Sequence, residues 1–405
     1  MENTSSNDLA LELLDYCLHR KRWPDELLHS LLRNALVHDP LRASRALFRI
    51  VVERLGDLFE PDLCTIYAEL FSEVIAFVDP RLNAGELLDR YNRVRRPRRV
   101  EGNPERVFVL SRVTLGADVA VTSVVLDGIK RRFPAARVCF VGPRKNWELF
   151  AADRRVEHVP LDYGRQGTLG GRLATWTELR DLVSEPGSVV IDPDSRLTQL
   201  GLLPVCDEEN YYFFESRGYG GESSKSLSEL TSEWVRETMG IPDARAWIAP
   251  LPMSRGYDIA VSLGVGDNPE KRVADPFEAS LMAALQGSIV VDKGAGGEET
   301  VRVERAMTHA RAPIEAWQGE YAPFASLIRN SRLYIGYDSA GQHVAAACGV
   351  PLISIFAGYV SQRMFERWRP TGSGPIRVLQ VTDGSPAKAL DAFLPVLQDF
   401  LNSQQ

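Results

Sequence analysis

Two different periods of apolar residues divide this chain near residue 100. Ahead of that point Leu9, Leu11, Leu13, Leu14, Cys17 and Leu18 form a stripe, and Leu27, Leu28, Leu31 and Leu32 repeat the three- and four-residue spacing of an amphipathic helix. Pro24, Pro40, Pro61 and Pro80 punctuate the segment, predicting four or five helices; a helical-hairpin array is one reading, though no repeat consensus is visible. From Arg106 the pattern becomes short continuous apolar runs alternating with helical stretches. Val107-Phe108-Val109-Leu110, Val138-Cys139-Phe140-Val141, Val189-Val190-Ile191 and Tyr211-Tyr212-Phe213-Phe214 read as buried strands. Helices are expected over 117–132 and 226–239.

The alternation then restarts. Beyond Pro242, Pro250 and Pro252, residues 258–263 open a second series with strands at 289–291, 333–337 and 352–356. Helices near 277–285, 298–309, 324–329 and 341–348 separate them. The predicted class is α/β: a helical N-terminal domain (1–100), then two α/β lobes (101–248 and 249–405) with a ligand cleft between them.

Composition narrows the options. At 405 residues, 44% hydrophobic and 25% charged, the chain can bury a large core over two or three domains. A net charge of -7 argues against sequence-independent nucleic-acid binding. Five scattered cysteines, Cys17, Cys64, Cys139, Cys206 and Cys348, contain no C-x-x-C pair and fit a reducing compartment. The opening residues lack the basic and apolar regions of a signal peptide, and no apolar run approaches ~18 residues. A cytoplasmic location is expected. The basic run Arg93-Val94-Arg95-Arg96-Pro97-Arg98-Arg99 reads either as a solvated hinge or as a peripheral contact with anionic lipid headgroups.

Candidate chemistry lies at the turns that follow strands. Tyr337-Asp338-Ser339-Ala340-Gly341-Gln342-His343 takes a strand through a small polar turn into an alanine-rich helix, whose free N–H groups suit an anion. With Asp338 as acceptor and His343 as titratable donor, the layout suits a diphosphate-bearing ligand such as a nucleotide sugar. Residues 111–118 follow the first strand of the first lobe. Asp118 then lies in the first turn of a helix, either facing the cleft or merely complementing the helix dipole. Residues 264–272 occupy the equivalent place in the second lobe, where Lys271 or Arg272 could neutralise a diphosphate, Asp267 works against that, and a plain surface turn is the other reading. In Asp292-Lys293-Gly294-Ala295-Gly296-Gly297-Glu298-Glu299 a carboxylate can meet ribose hydroxyls or simply cap the helix. Asp192-Pro193-Asp194 is a D-x-D whose proline and following Ser195 favour capping over metal ligation. His19, His29, His38, His158 and His309 have no metal-ligand spacing, so no metal is expected. No G-x-S-x-G, P-loop or H-E-x-x-H motif occurs.

Taken in order, these turns resemble the glycosyltransferase family that includes the ADP-heptose:lipopolysaccharide heptosyltransferases, over roughly residues 105–380. Ser111 through Gly116, Ala117 and Asp118 resemble the family's S-x-x-G-D start, with Ala117 inserted. Residues 129–136 resemble its L-K-x-x-x-P-x-A stretch, and Asp192 to Leu200 its acceptor-side region. Lys271-Arg272 falls at its phosphate-contacting basic pair, Glu298 at its nucleoside-contacting glutamate. Asp338-Ser339 with His343 matches D-[ST]-G-x-x-H, with Ala340 in place of the glycine and Gly341 one place later. Val273 replaces the tryptophan after the basic pair.

The resemblance implies two Rossmann-like lobes of the GT-B type, nucleotide sugar in the C-terminal lobe and acceptor in the N-terminal lobe. It implies inverting transfer without a cofactor or metal, the nucleotide sugar being a co-substrate. Asp118 is then the catalytic base, and Lys271, Glu298, Asp338, Ser339, Gly341 and His343 bind the donor. ADP-heptose is the implied donor, a lipopolysaccharide-type glycan or another glycan, lipid or protein the acceptor, and the inner-membrane surface the place of action. The helical hundred residues have no counterpart in the family's core. Two rivals remain: a GT-B-shaped nucleotide-sugar binding or scaffold protein whose catalytic loop has decayed, and a nicotinamide-dependent enzyme, which lacks a G-x-G-x-x-G with a following acidic residue.

Overall fold

The structure, a computed structural model, describes residues 5–402 apart from Asp267, Ala295 and Asp383. In the first lobe β1 (Arg106–Leu110), β2 (Arg137–Gly142), β3 (Val156–Pro160), β4 (Ser188–Asp192) and β5 (Tyr211–Phe213) form a parallel sheet in the order β3-β2-β1-β4-β5. In the second, β6 (Ile259–Ser262), β7 (Ile289–Asp292), β8 (Ile314–Trp317), β9 (Leu333–Tyr337), β10 (Leu352–Ala357) and β11 (Ile376–Val381) are parallel in the order β11-β10-β9-β6-β7-β8. Each lobe therefore adds strands first on one side of its opening strand and then on the other. The switch falls at β1/β4 and at β6/β9, where diverging connections leave a crevice above the carboxyl ends of the strands. Two such lobes make the GT-B architecture.

The strands missing from the sequence reading, β3, β8 and β11, all lie at sheet edges. Their half-exposed Glu157, His158 and Glu315 and exposed Arg377 break the apolar runs that mark the central strands.

The N-terminal segment is helical as its periodicity predicts, with α-helices Ser6–Leu18, Asp25–Arg33, Pro40–Ala46, Glu53–Asp57, Pro61–Val78 and Ala84–Val94 joined in part by π-helical turns. Local chemistry sets its boundaries. The Ser5, Asp39 and Asn83 side chains accept N–H groups of the first turns they precede, and Pro40 and Pro61 begin helices where a missing N–H is harmless.

This segment is not a separate body. Its apolar faces, among them Leu31, Leu47, Phe48 and Phe71, pack in one continuous core with Phe108, Leu110, Cys139, Val141 and Val190 from one face of the first sheet. The alternate residues, Val107, Val109, Val138, Phe140 and Ile191, face the helices Ser123–Arg132 and Leu227–Met239 on the other side. The segment thus supplies a covering layer of the first lobe.

Three arginines of the basic linker are tied to the first lobe, which corrects the hinge reading for them. Arg93 makes a two-pronged bond to Glu208 at 3.0 and 2.6 Å. Arg95 pairs with the buried Glu215 at 2.7 Å, and the Tyr91 hydroxyl donates to the same carboxylate. Arg98 donates to the carbonyls of Glu209 and Tyr211 and lies 4.1 Å over the Tyr212 ring. These contacts fasten the helical segment to the first lobe, and Arg93, Arg96, Arg98 and Arg99 all remain exposed. Among the described residues no helix is long and apolar enough to cross a membrane.

The lobes also touch. Arg367, 1% exposed on the helix Gln362–Trp368, donates to the carbonyls of Gly221, Ser223 and Lys225 in the first lobe. Arg363 reaches the Phe59 carbonyl of the helical segment at 3.2 Å.

Candidate active site

At the switch point of the second lobe, the turn after β6 delivers Lys271 and the turn after β9 delivers Asp338. Their side chains meet at 2.6 Å. Burial works against the Lys271 ammonium, but the Asp338 and Asp57 carboxylates outweigh it and hold its pKa above the ordinary lysine value. Arg272 points the other way, to Asp275 and to Glu278 at 3.0 Å, so only the first member of the basic pair reaches the site. Asp267 of this turn lies outside the described residues.

Asp338 also accepts from Gln342 Nε2 at 2.6 Å, and Gln342 Oε1 accepts from Ser354 at 2.5 Å, which locks the carboxylate to the sheet. Ser339 precedes the helix Ala340–Ala347 without capping it. Its Oγ is buried beside the Tyr334 hydroxyl. The first N–H groups of that helix have no intrahelical acceptor. Gly341 is required by close approach: a Cβ there would overlap the fully buried Tyr334 hydroxyl. His343 is buried beside Trp368, and burial pushes its imidazole down to about 4, so it is neutral at pH 7. Gly116 of the first lobe packs on Ala340 and His343.

Glu298 stands in the first turn of the helix Gly297–Met307. It is exposed, with no hydrogen bond or ion pair among the described residues. Its neighbour Glu299 turns inward instead, accepting from the Val265 N–H at 3.0 Å under the turn after β6. One residue of helix rotates the side chain by about 100°, so the two neighbouring glutamates face different ways. Ala295 of the same turn lies outside the described residues.

Asp118 is corrected in orientation. It stands after β1 as expected, but its side chain is 0% exposed and does not face the cleft. Ser111 Oγ, the Arg112 N–H, Thr122 Oγ1 and Asn146 Nδ2 donate to it at 2.6–2.7 Å, using both oxygens. Burial nevertheless raises its pKa. The carboxylate therefore fixes the turn 111–118 and has no lone pair left for an acceptor hydroxyl. Asp192 and Asp194 are likewise engaged, Asp192 with Ser195, Thr198 and Tyr211, and Asp194 with Arg217 and Ser216.

What opens to solvent is a cleft of about 650 Å³ with three walls. The second lobe contributes Lys271 and Trp368, the first lobe Arg165 and Arg196, and the helical segment Arg49, Glu53, Arg54 and Asp57. The helical residues escaped the sequence reading. Arg49, Glu53 and Asp57 recur at four-residue intervals, a polar stripe opposite Phe48, Val51, Val52 and Leu55, and that stripe was the available signal.

This arrangement has counterparts. The family model described as Glycosyltransferase family 9 (heptosyltransferase) matches residues 286–375, which include the turn after β9 but neither Lys271 nor the first lobe. Among solved structures, a glycosyl transferase family 9 protein from Veillonella parvula is similar at 16% identity, covering 70% of this chain and 88% of that one, with a TM-score of 0.50. The E. coli heptosyltransferase WaaC, solved with ADP, is similar at 14% identity over 73% of this chain and 98% of its own, with a TM-score of 0.54. WaaC with ADP-2-deoxy-2-fluoro heptose gives 14% identity, 74% and 100% coverage and a TM-score of 0.50. No curated protein matches the chain. At these identities the structures establish the fold. Fold and family match together define the class: a glycosyltransferase of the GT-B type, similar to the heptosyltransferases of glycosyltransferase family 9.

Proposed function

We propose that this glycosyltransferase moves a sugar from a nucleoside-diphosphate donor to an acceptor hydroxyl with inversion at the anomeric carbon. The observation that carries the reading is the convergence of Lys271, Ser339 and the N-terminus of the helix Ala340–Ala347 at one switch point. All three offer positive charge or hydrogen-bond donors to an anion, where the leaving diphosphate gathers negative charge as the glycosidic bond breaks. Asp338 holds Lys271 in place until the diphosphate shares it. His343, neutral and packed on Trp368, shapes the site without adding charge. ADP-heptose is the first donor to test, because WaaC was solved with an ADP-heptose analogue. A lipopolysaccharide-type glycan is the first acceptor.

The test is release of nucleoside diphosphate from a panel of ADP-, UDP-, GDP- and dTDP-sugars, with the product anomer read by NMR. Turnover with an inverted product supports the proposal. Binding of ADP or UDP with no turnover favours the scaffold reading, for which the sealed Asp118 is the motive. No binding of any nucleotide contradicts both.

A further inference from the structure

With Asp118 enclosed, a group that can accept the acceptor's proton has to come from elsewhere on the cleft. We propose that Asp57, on the helical N-terminal segment, is that base, so that the segment outside the two-lobed fold completes the active site. The inference rests on the sugar-transfer reading above.

Asp57 ends the helix Glu53–Asp57 and lines the cleft on a different wall from Lys271. It is half-buried, and it has no hydrogen bond or ion pair among the described residues. Its position is locally unfavourable, because the carboxyl end of a helix repels negative charge. A local rule broken inside a cleft marks a functional position. The neighbouring carboxylate is differently placed: Glu53 lies 3.7 Å from Arg165 and 3.6 Å from Arg196.

The charges around Asp57 come from every wall. Its own segment presents Arg49, Glu53 and Arg54, and the first lobe Arg165 and Arg196. The second lobe presents Glu270 and Lys271, with Asp338 behind. Burial dominates over the opposing pull of Lys271 and Arg196 and pushes the Asp57 carboxyl up to about 6. It is then ionised at pH 7 yet a stronger base than an ordinary carboxylate.

In the step, the acceptor O–H proton passes to the Asp57 carboxylate as the oxygen forms its bond to the anomeric carbon. The bond from that carbon to the diphosphate oxygen breaks, and its electron pair leaves with the nucleoside diphosphate beside Lys271. Charge and atoms balance without another reactant.

The experiment compares wild type with Asp57→Asn, reading nucleoside diphosphate release from the donor panel together with calorimetric binding of ADP and UDP. The expected variant binds the nucleotide at least as tightly, since a negative charge near the diphosphate is gone. It releases product roughly 10²–10⁴-fold more slowly, and the wild-type rise of kcat/KM through pH about 6 is lost. A variant that turns over at the wild-type rate with the wild-type pH profile overturns the assignment and leaves sugar transfer standing. A variant that loses nucleotide binding along with turnover assigns Asp57 to donor binding or folding and overturns it as well. Wild type that binds no nucleotide, or binds without turnover, removes the transfer reading itself and this inference with it.

Discussion

Arg217 and Asp194 form an ion pair that solvent barely reaches: Nε lies 3.0 Å from Oδ2, with side chains 5% and 0% exposed. The guanidinium also lies 4.8 Å from the centre of the Tyr67 ring, on the helical segment. The pair therefore joins the turn after β4, which carries Arg196 to the cleft, to the covering layer of helices. Asp194 holds a left-handed backbone, φ 70°, that a non-glycine residue adopts only where its surroundings impose it.

Asp194→Asn leaves the Arg217 charge buried and unpaired, which costs about 3–5 kcal/mol. A lowered urea midpoint measures it, and an unchanged midpoint contradicts the role. The pH dependence has a definite sign. Burial alone would raise the Asp194 carboxyl, but Arg217 and Arg112 outweigh it and hold its pKa below the ordinary value. The pair's stabilisation is thus present above about pH 4, the unfolded aspartate value, and is lost as pH falls below it.

Gly341→Ala drives a Cβ into the Tyr334 hydroxyl and forces the helix Ala340–Ala347 away from the sheet. Overpacking of this kind costs about 1–3 kcal/mol. Because the displaced N-terminus is the proposed diphosphate cradle, ADP and UDP affinity should fall more than thermal stability does. Unchanged nucleotide affinity in a folded variant would place the diphosphate elsewhere.

His343, packed against Gly116 of the first lobe, gives a second test by pH. Its folded pKa of about 4 lies below the unfolded value of about 6.5, so the unfolded chain binds the extra proton between those values. The histidine's contribution is full above about pH 6.5 and declines as pH falls toward 4, by on the order of 3 kcal/mol. Comparison of wild type with His343→Gln cancels the other groups that titrate there. The variant's melting temperature should fall less over this window, and parallel profiles contradict the assignment.

Deleting residues 1–100 uncovers Phe108, Leu110, Cys139, Val141 and Val190 on one face of the first sheet. An apolar face of that size does not stay exposed in a folded monomer. The remaining chain should aggregate or fail to accumulate in soluble form. A well-folded 101–405 fragment would show that the helical layer is dispensable.

The sequence was most legible where one face or both faces of an element are buried. The central strands β1, β2, β4, β6, β7, β9 and β10 announce themselves as apolar runs, and the helices of the first hundred residues as stripes. The edge strands β3, β8 and β11 did not, because half of each faces water. At the site, order along the chain led to Lys271, Asp338, Ser339, Gly341 and His343, which the fold gathers around one switch point. It named Glu298 but not its neighbour Glu299, which helix phase turns inward under the turn after β6. It located Asp118 but not the inward turn that four donors impose on its side chain. The stripe of Arg49, Glu53 and Asp57 was visible but not read as part of the cleft, because a charged stripe on a helix reads as a solvated face until another layer is seen to close over it.

The most direct measurement of the central claim is calorimetric titration of ADP and of UDP into wild type and Lys271→Met. Lys271 lies on the cleft wall, 2.6 Å from Asp338. Loss of one charge-assisted contact to a diphosphate weakens binding roughly 10- to 100-fold. The account predicts saturable binding of at least one nucleotide to wild type and that loss in the variant. Equal affinity in both proteins, or no binding to either, would contradict it.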